Sequence, residues 1–263
     1  MQLQSENTAD LRPWPGISPA AYRQIRTVAI RTIIVIVLIL LVGALSCGIA
    51  VADGKRKSTA QEVGAQERFE AEQRLWALGY WAGPVDGKFD SASRHALIAF
   101  QKVERRPRTG NLTWKELKAL QEASRPLPRH TEAVHVEIDL GRQVLFLIDE
   151  SGIVSRILPV STGNGARYID HGEVHRARTP TGTFKVYRKI NGWRLSSLGL
   201  LYYPSYIVNG IAVHGSLSIP TSPASHGCIR VPMYAAKELS GLMPVGIEVN
   251  IYDDNEEHLS RKN

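Results

Sequence analysis

The chain has 263 residues, 43% of them hydrophobic and 22% charged. That balance excludes disorder, collagen and coiled coil as the overall description, and the length allows one large domain or two modest ones. Lys and Arg outnumber Asp and Glu by 32 to 25, a formal charge of +7. Such a surplus suits nucleic acid, an anionic membrane face or an anionic polymer, and does not choose among them. With only two cysteines, Cys47 and Cys228, the chain is neither a disulfide scaffold nor a four-cysteine zinc module.

From Thr32 to Ala52 there is no charged residue, and the 21-residue run is long enough to cross a bilayer core as a helix. A buried core helix of that length would keep a polar face. Residues 32–52 are therefore expected to form a transmembrane signal-anchor, and residues 1–31 a segment that is cytoplasmic if the domain after the anchor lies outside. Ala50-Val51-Ala52 before Asp53 has the small residues of a cleavage site, but the 31 residues ahead of the run and its length favour an uncleaved anchor. Arg23, Arg26 and Arg31 precede the run and Lys55, Arg56 and Lys57 follow it, so charge leaves orientation open. Cys47 falls within the run. Cys228 is then a lone thiol without an obvious disulfide partner, either accidental or reactive.

Residues 64–123 read as three helices. Arg68 to Leu78 is amphipathic, with Phe69, Leu75, Trp76 and Leu78 on its apolar positions. Gly79 to Pro84 breaks it, and Asp86-Gly87 makes a turn. A second helix, Ser91 to Val103, carries Ala92, Ala96, Leu97 and Phe100. Thr113 caps a third, with Glu116 completing a capping box and Trp114, Leu117 and Leu120 following. Gln73, Leu75, Leu78-Gly79-Tyr80, Val85-Asp86-Gly87-Lys88-Phe89, Ala96, Ala99-Phe100-Gln101 and Thr113-Trp114, in that order, resemble a three-helix peptidoglycan-binding domain. The family usually has an apolar residue and Asp-Gly where this chain has Arg108-Thr109-Gly110. Most matching residues are expected to be helical core, and Tyr80 and Trp81 to be exposed aromatics that can stack on sugar. The prolines of Ser124 to Arg129 mark a linker, 124–130, and a domain boundary.

From residue 131 to 253 the apolar period changes from 3.6 to 2. Strands are predicted at Val134–Ile138, Gln143–Ile148, Ile153–Val160, Gly182–Arg188, Tyr202–Val208, Ile211–Val213 and Ile247–Tyr252, with one helix at Met233–Leu242. Short strands punctuated by Gly and Asn indicate a sandwich or barrel. Residues 254–263 form a tail.

The chemistry gathers at Val213-His214-Gly215 and at Ser225-His226-Gly227-Cys228-Ile229-Arg230. A cysteine nucleophile reacts as the thiolate, so an imidazole must take its proton or hold it in an ion pair. His214 ends a strand and can lie across from Cys228. Gly227 would let substrate approach the backbone, and the Gly227 and Cys228 amides would face an oxyanion. In an extended segment Arg230 points the same way as Cys228, where it would lower the thiol pKa or bind a substrate carboxylate.

With Leu158 to Gly163, Thr179 to Phe184 and Ile211 to Gly215, the Ser225–Arg230 string resembles the L,D-transpeptidase catalytic domain of the YkuD family. The resemblance implies a β-rich, sandwich-like catalytic fold, Cys228 as nucleophile and His214 as proton donor and acceptor. It places Gly215, Ser225, His226, Gly227 and Arg230 on the rest of the signature, as oxyanion and substrate-binding residues. His214 is preferred to His226 as base. The resemblance further implies peptidoglycan stem peptides as donor and acceptor, 3→3 cross-linking through a thioester, and a catalytic domain on the extracytoplasmic side. An L,D-carboxypeptidase and a non-catalytic wall-binding protein remain alternatives. No cofactor and no metal are expected: His171-Gly172-Glu173-Val174-His175 reads as a loop at the border of the substrate channel, because Gly172 stands where a zinc helix needs Glu. Nucleic acid is not expected as a partner, since no basic helix or stacking motif accompanies the charge. A papain-like hydrolase would place its cysteine at a helix N-terminus, whereas Cys228 precedes β-prone Ile229.

Overall fold

A computed structural model describes residues 63–253. The expected cytoplasmic segment, the 32–52 membrane anchor, Cys47 and the 254–263 tail lie outside the described residues. Among the described residues no helix is long and apolar enough to cross a membrane.

Three helices come first: α1 (Ala65–Ala77), α2 (Ser91–Val103) and α3 (Trp114–Glu122). The Asp90 carboxylate accepts from the Ala92 and Ser93 amides at 2.7 and 3.2 Å, which fixes the start of α2. Thr113 Oγ1 accepts from the Glu116 amide at 3.2 Å. The Glu116 carboxylate turns instead to Arg106, at 3.0 Å, so only half of the predicted capping box forms. The α1–α2 turn is tied down by Glu72, a fully buried carboxylate that accepts from the Asp86 and Gly87 amides and from Ser93 Oγ.

The rest is β-rich. One sheet has the order β3-β2-β1-β12-β6, from β1 (His135–Asp139), β2 (Val144–Ile148), β3 (Val154–Pro159), β6 (Gly182–Lys185) and β12 (Glu248–Tyr252); β1 and β12 run parallel. The other has the order β11-β10-β9-β7, from β7 (Arg188–Lys189), β9 (Gly199–Val208), β10 (Ile211–Ser216) and β11 (Ile229–Pro232), with β8 (Trp193–Ser196) also paired to β9. A separate hairpin joins β4 (Arg167–Asp170) to β5 (Glu173–Arg176). The helix α4 (Met233–Leu242) leads from β11 toward β12.

Every residue of β1 and β2 is buried, and the reason is that the first sheet is covered on both faces. Leu145, Leu147, Val136 and Ile138 face a core shared with Val213, Ile229 and Val231 of the second sheet and with Ala235, Leu239 and Met243. This is the sandwich-like packing expected from the sequence. The alternate residues Val144, Phe146 and Ile148, with Val154 and Ile157, face a second core made with Leu75, Leu97, Phe100, Leu117 and Leu120 of the helices. A strand covered on both sides reads as a continuous apolar run, as Val144 to Ile148 does.

The proline segment packs against the elements on both sides of it. Arg125 donates to Val154 O at 2.8 Å and to Ala77 O at 2.6 Å, and buried Glu137 accepts from the Arg129 and His130 amides. Tyr80 is not an exposed sugar platform: it is 1% exposed and edge-on to Phe100, with ring centroids 5.6 Å apart. Its neighbour Trp81 is half-buried, with Arg156 over its ring at 5.4 Å. The exposed aromatic of this region is Trp76, at 60%, which the helical pattern assigned to the apolar face.

Candidate active site

The hairpin β9–β10 turns through Asn209 and Gly210, both at positive φ (45° and 78°), with Val208 opposite Ile211. This Asn-Gly turn matches the twist of its strands. Farther along, the pairing slips between Val213 and Gly215, opposite Tyr203 at φ 48°. The extra residue lies on β9, where Pro204 and Tyr203 together oppose His214, and bulges commonly re-aim side chains beside a site. β11 then runs parallel to β10, pairing Val213 with Ile229 and His214 with Arg230. The segment Ser225 to Cys228 enters β11 directly, so two strings separated by a short loop meet on neighbouring strands.

His214 is 6% exposed, and its Nδ1 lies 2.9 Å from Gly215 O. A carbonyl only accepts, so Nδ1 carries the proton and Nε2 keeps a lone pair. Burial, reinforced by the charge of Arg230 and opposed by that carbonyl, pushes the imidazole pKa down to about 4. Cys228 is half-buried. Burial raises its thiol above the ordinary value, outweighing the Ala212 amide and Arg230, which act the other way. The resting pair is thus neutral thiol and neutral imidazole. Arg230 does favour the thiolate, as expected, but desolvation wins.

The loop ahead of the thiol is fixed from three sides. Ser225 Oγ donates to Cys228 O at 2.6 Å and accepts from the Gly227 amide at 3.0 Å. Thr179 Oγ1 donates to Gly227 O at 2.6 Å and accepts from the Gly163 amide at 3.0 Å. The Ala224 and Ser225 amides both donate to Thr162 O. Gly227 has φ +141°, and a Cβ there would come within 3.0 Å of Arg178 O. Glycine is required here by its own backbone, and its amide is engaged by Ser225. Gly215 likewise serves packing: a Cβ would meet Ala236 Cβ at 2.6 Å. His226 is exposed, with its ring 4.7 Å from that of Tyr168. Ser161 brackets Arg230 with two main-chain hydrogen bonds of 3.1 and 3.2 Å.

Cys228, His214, Ser225, His226, Gly227 and Arg230 all line one cavity of about 560 Å³. Its walls include Tyr168, Asp170 and His175 of the β4–β5 hairpin, and Arg194 and Ser196 to Leu201 around the β8–β9 turn. The two hairpins touch where Ser197 Oγ donates to Asp170 Oδ2 at 3.1 Å. The His171–His175 stretch is therefore a hairpin and not a loop, turning at His171 and Gly172 with φ 49° and 82°. It borders the cavity through His175, as the sequence suggested, while His171 points its side chain to solvent. Thr179 and Ser161 were not singled out from the sequence as supports. Neither was Arg108, whose guanidinium donates to Thr221 O at 2.8 Å in the loop between His214 and Ser225. Ser161 Oγ holds the next carbonyl, Ser222 O, at 2.8 Å.

The profile of the L,D-transpeptidase catalytic domain matches residues 133–251, and that of the putative peptidoglycan binding domain matches residues 64–120. Among solved structures, the L,D-transpeptidase from Xylanimonas cellulosilytica DSM 15894 is 42% identical, with 71% of this chain and 93% of that chain covered and a TM-score of 0.67. The L,D-transpeptidase from Stackebrandtia nassauensis is 21% identical over 74% of this chain and 95% of that one, with a TM-score of 0.43. The catalytic domain from the E. faecium L,D-transpeptidase is 22% identical over 48% of this chain and 100% of that one, with a TM-score of 0.37. No curated protein matches the chain. With 71% of the chain and 93% of the first of these structures covered at 42% identity, and its thiol and imidazole in one cavity, the chain belongs to the L,D-transpeptidase family.

Proposed function

We propose that Cys228 and His214 are the nucleophile and general base of a transpeptidase acting on peptidoglycan stem peptides. The observation that supports this most is the hydrogen bond from His214 Nδ1 to Gly215 O, inside a cavity shared with Cys228. It leaves Nε2 as the lone pair available to a thiol proton. The thiol proton passes to Nε2 as sulfur attacks the carbonyl of the third, diamino-acid residue of a donor tetrapeptide. Collapse of the tetrahedral intermediate breaks the amide bond, and His214 returns the proton to the departing D-alanine amine. An amine of a second stem then attacks the thioester, regenerates the thiol and leaves a 3→3 cross-link. Since Ser225 engages the Gly227 amide, the Cys228 amide is assigned as the main-chain donor to the oxyanion. Arg230 would receive a stem carboxylate, a role supported by its position in the same cavity lining as Cys228.

Residues 32–52 are proposed as a membrane anchor that sets this domain on the wall side; the absence of charge in that run supports the reading. Incubating the full-length chain with disaccharide tetrapeptides and resolving the products by mass tests the reaction. Release of D-alanine with cross-linked dimers is expected, and Cys228→Ala should yield neither. Full activity in Cys228→Ala would sink the assignment. Release of D-alanine with only tripeptide product would mean that water is the acceptor and that the enzyme is a carboxypeptidase.

A further inference from the structure

A second cavity, of about 260 Å³, shares no lining residue with the active-site cavity. Lys102 and Arg105, Arg106 and Arg108 reach it from the end of α2 and the turn that follows, and Asp139 and Arg142 from the β1–β2 turn. Arg105 adopts positive φ (52°), the left-handed step that ends the helix and brings the next residues round to the same place. Four guanidinium groups thus meet two carboxylates. Glu116 engages Arg106 with Nη2 to Oε1 at 3.0 Å, and Asp139 Oδ2 lies 3.4 Å from Arg142 Nε. The Arg105 guanidinium has no partner among the described residues.

Lys102 forms the buried side of this cavity. It is 1% exposed, and its Nζ donates to Gln143 O at 3.0 Å and Val160 O at 2.8 Å. An ammonium has three N–H groups, so one donor remains beyond these two carbonyls. Burial, and after it the positive charge of Arg108, lowers the Lys102 pKa to about 7. An anion in the cavity would offset both effects.

We infer that this cavity binds a phosphoryl group. A carboxylate offers two oxygens and one charge. A phosphoryl group offers three or four oxygens and, as a monoester, nearly two charges, which suits several converging arginine forks and an ammonium better. Free phosphate carries the full set, whereas a phosphodiester polymer has one charge and two unesterified oxygens per phosphate and supplies many such groups along its length.

The test titrates the full-length chain with inorganic phosphate and with poly(glycerol phosphate), at ionic strength held constant with sodium chloride, by calorimetry and phosphorus NMR; sodium acetate serves as the carboxylate control. Saturable binding of at least one phosphate probe is expected, with acetate far weaker. Arg105→Gln, an exposed change outside the active site, should weaken binding about tenfold or more while leaving the unfolding midpoint in place. Lys102→Met should weaken it as well, and Arg105→Gln carries the test if that variant does not fold. Tighter binding of the polymer per phosphate would assign the site to a phosphodiester polymer, and equal binding to free phosphate. The inference is overturned if neither probe saturates, if acetate binds as well, or if Arg105→Gln binds like the wild type.

Discussion

Phe100→Ala probes the core that the helices share with the first sheet. Phe100 is fully buried, meets Tyr80 edge-on, and belongs to the cluster that holds Leu75 and Leu97 together with Phe146 and Ile157. Truncating a buried phenylalanine to alanine costs about 3–5 kcal/mol, through lost transfer energy and the cavity left behind. In a unit of this size each kcal/mol lowers the midpoint by about 2–4 °C, so a drop of roughly 10 °C is expected. The assay follows thermal unfolding by the far-ultraviolet helical signal and by exposure of Cys228 to a thiol reagent, in a Cys47→Ser background. Because one core joins the elements, both signals should fall together at the lowered midpoint. Melting of the helices at low temperature, with Cys228 still protected up to the wild-type midpoint, would refute the shared core and restore two independent domains.

The remaining predictions concern the site. Thr179→Val removes the donor to Gly227 O and the acceptor of the Gly163 amide; stability should fall by about 1–3 kcal/mol and thioester formation by about tenfold, read by urea unfolding and by acylation rate. Gly215→Ala forces a Cβ to within 2.6 Å of Ala236 Cβ, so it should destabilise by about 1–3 kcal/mol, with partial rescue by Ala236→Gly in the same unfolding assay. For pH, the reactive form needs neutral His214, whose pKa is lowered to about 4. kcat/KM should therefore rise with pH through about 4 and then stay level until the thiol, raised by burial, begins to ionise. An acid limb near the ordinary imidazole value in a pH–rate profile would contradict the buried, neutral imidazole.

Much of this architecture is legible in the sequence because its signals are local. The predicted spans of α2 and α4 agree with the structure, since Asp90 caps the first within two residues and Pro232 ends the strand before the second. The β9–β10 turn is announced by Asn209-Gly210. The SHGC string identifies the thiol and its neighbours. Long-range features were not legible. Nothing local tells that Val144 and Phe146 face helices while Leu145 faces the other sheet, so the core that the two regions share is not legible in the sequence. Tyr80 looked like an exposed platform because a Gly-rich turn is ordinarily at the surface; here the first sheet covers it, through a bridge to Ile157. The β4–β5 and β8–β9 hairpins were missed or read as loop because their residues are mostly exposed and lack an apolar stripe. The sign of the Cys228 shift followed from Arg230 only while burial was unknown. Thr179, Ser161 and Arg108 act on carbonyls 48, 61 and 113 positions away, which no spacing rule reports.

The most direct test of the account is the intact mass of the protein during turnover of a donor tetrapeptide, with peptide mapping of the modified residue. An adduct of the stem tripeptide acyl group is expected, released by hydroxylamine and located on Cys228, absent in Cys228→Ala and formed far more slowly in His214→Gln. Turnover with no adduct at Cys228, or an adduct that persists in Cys228→Ala, would contradict it.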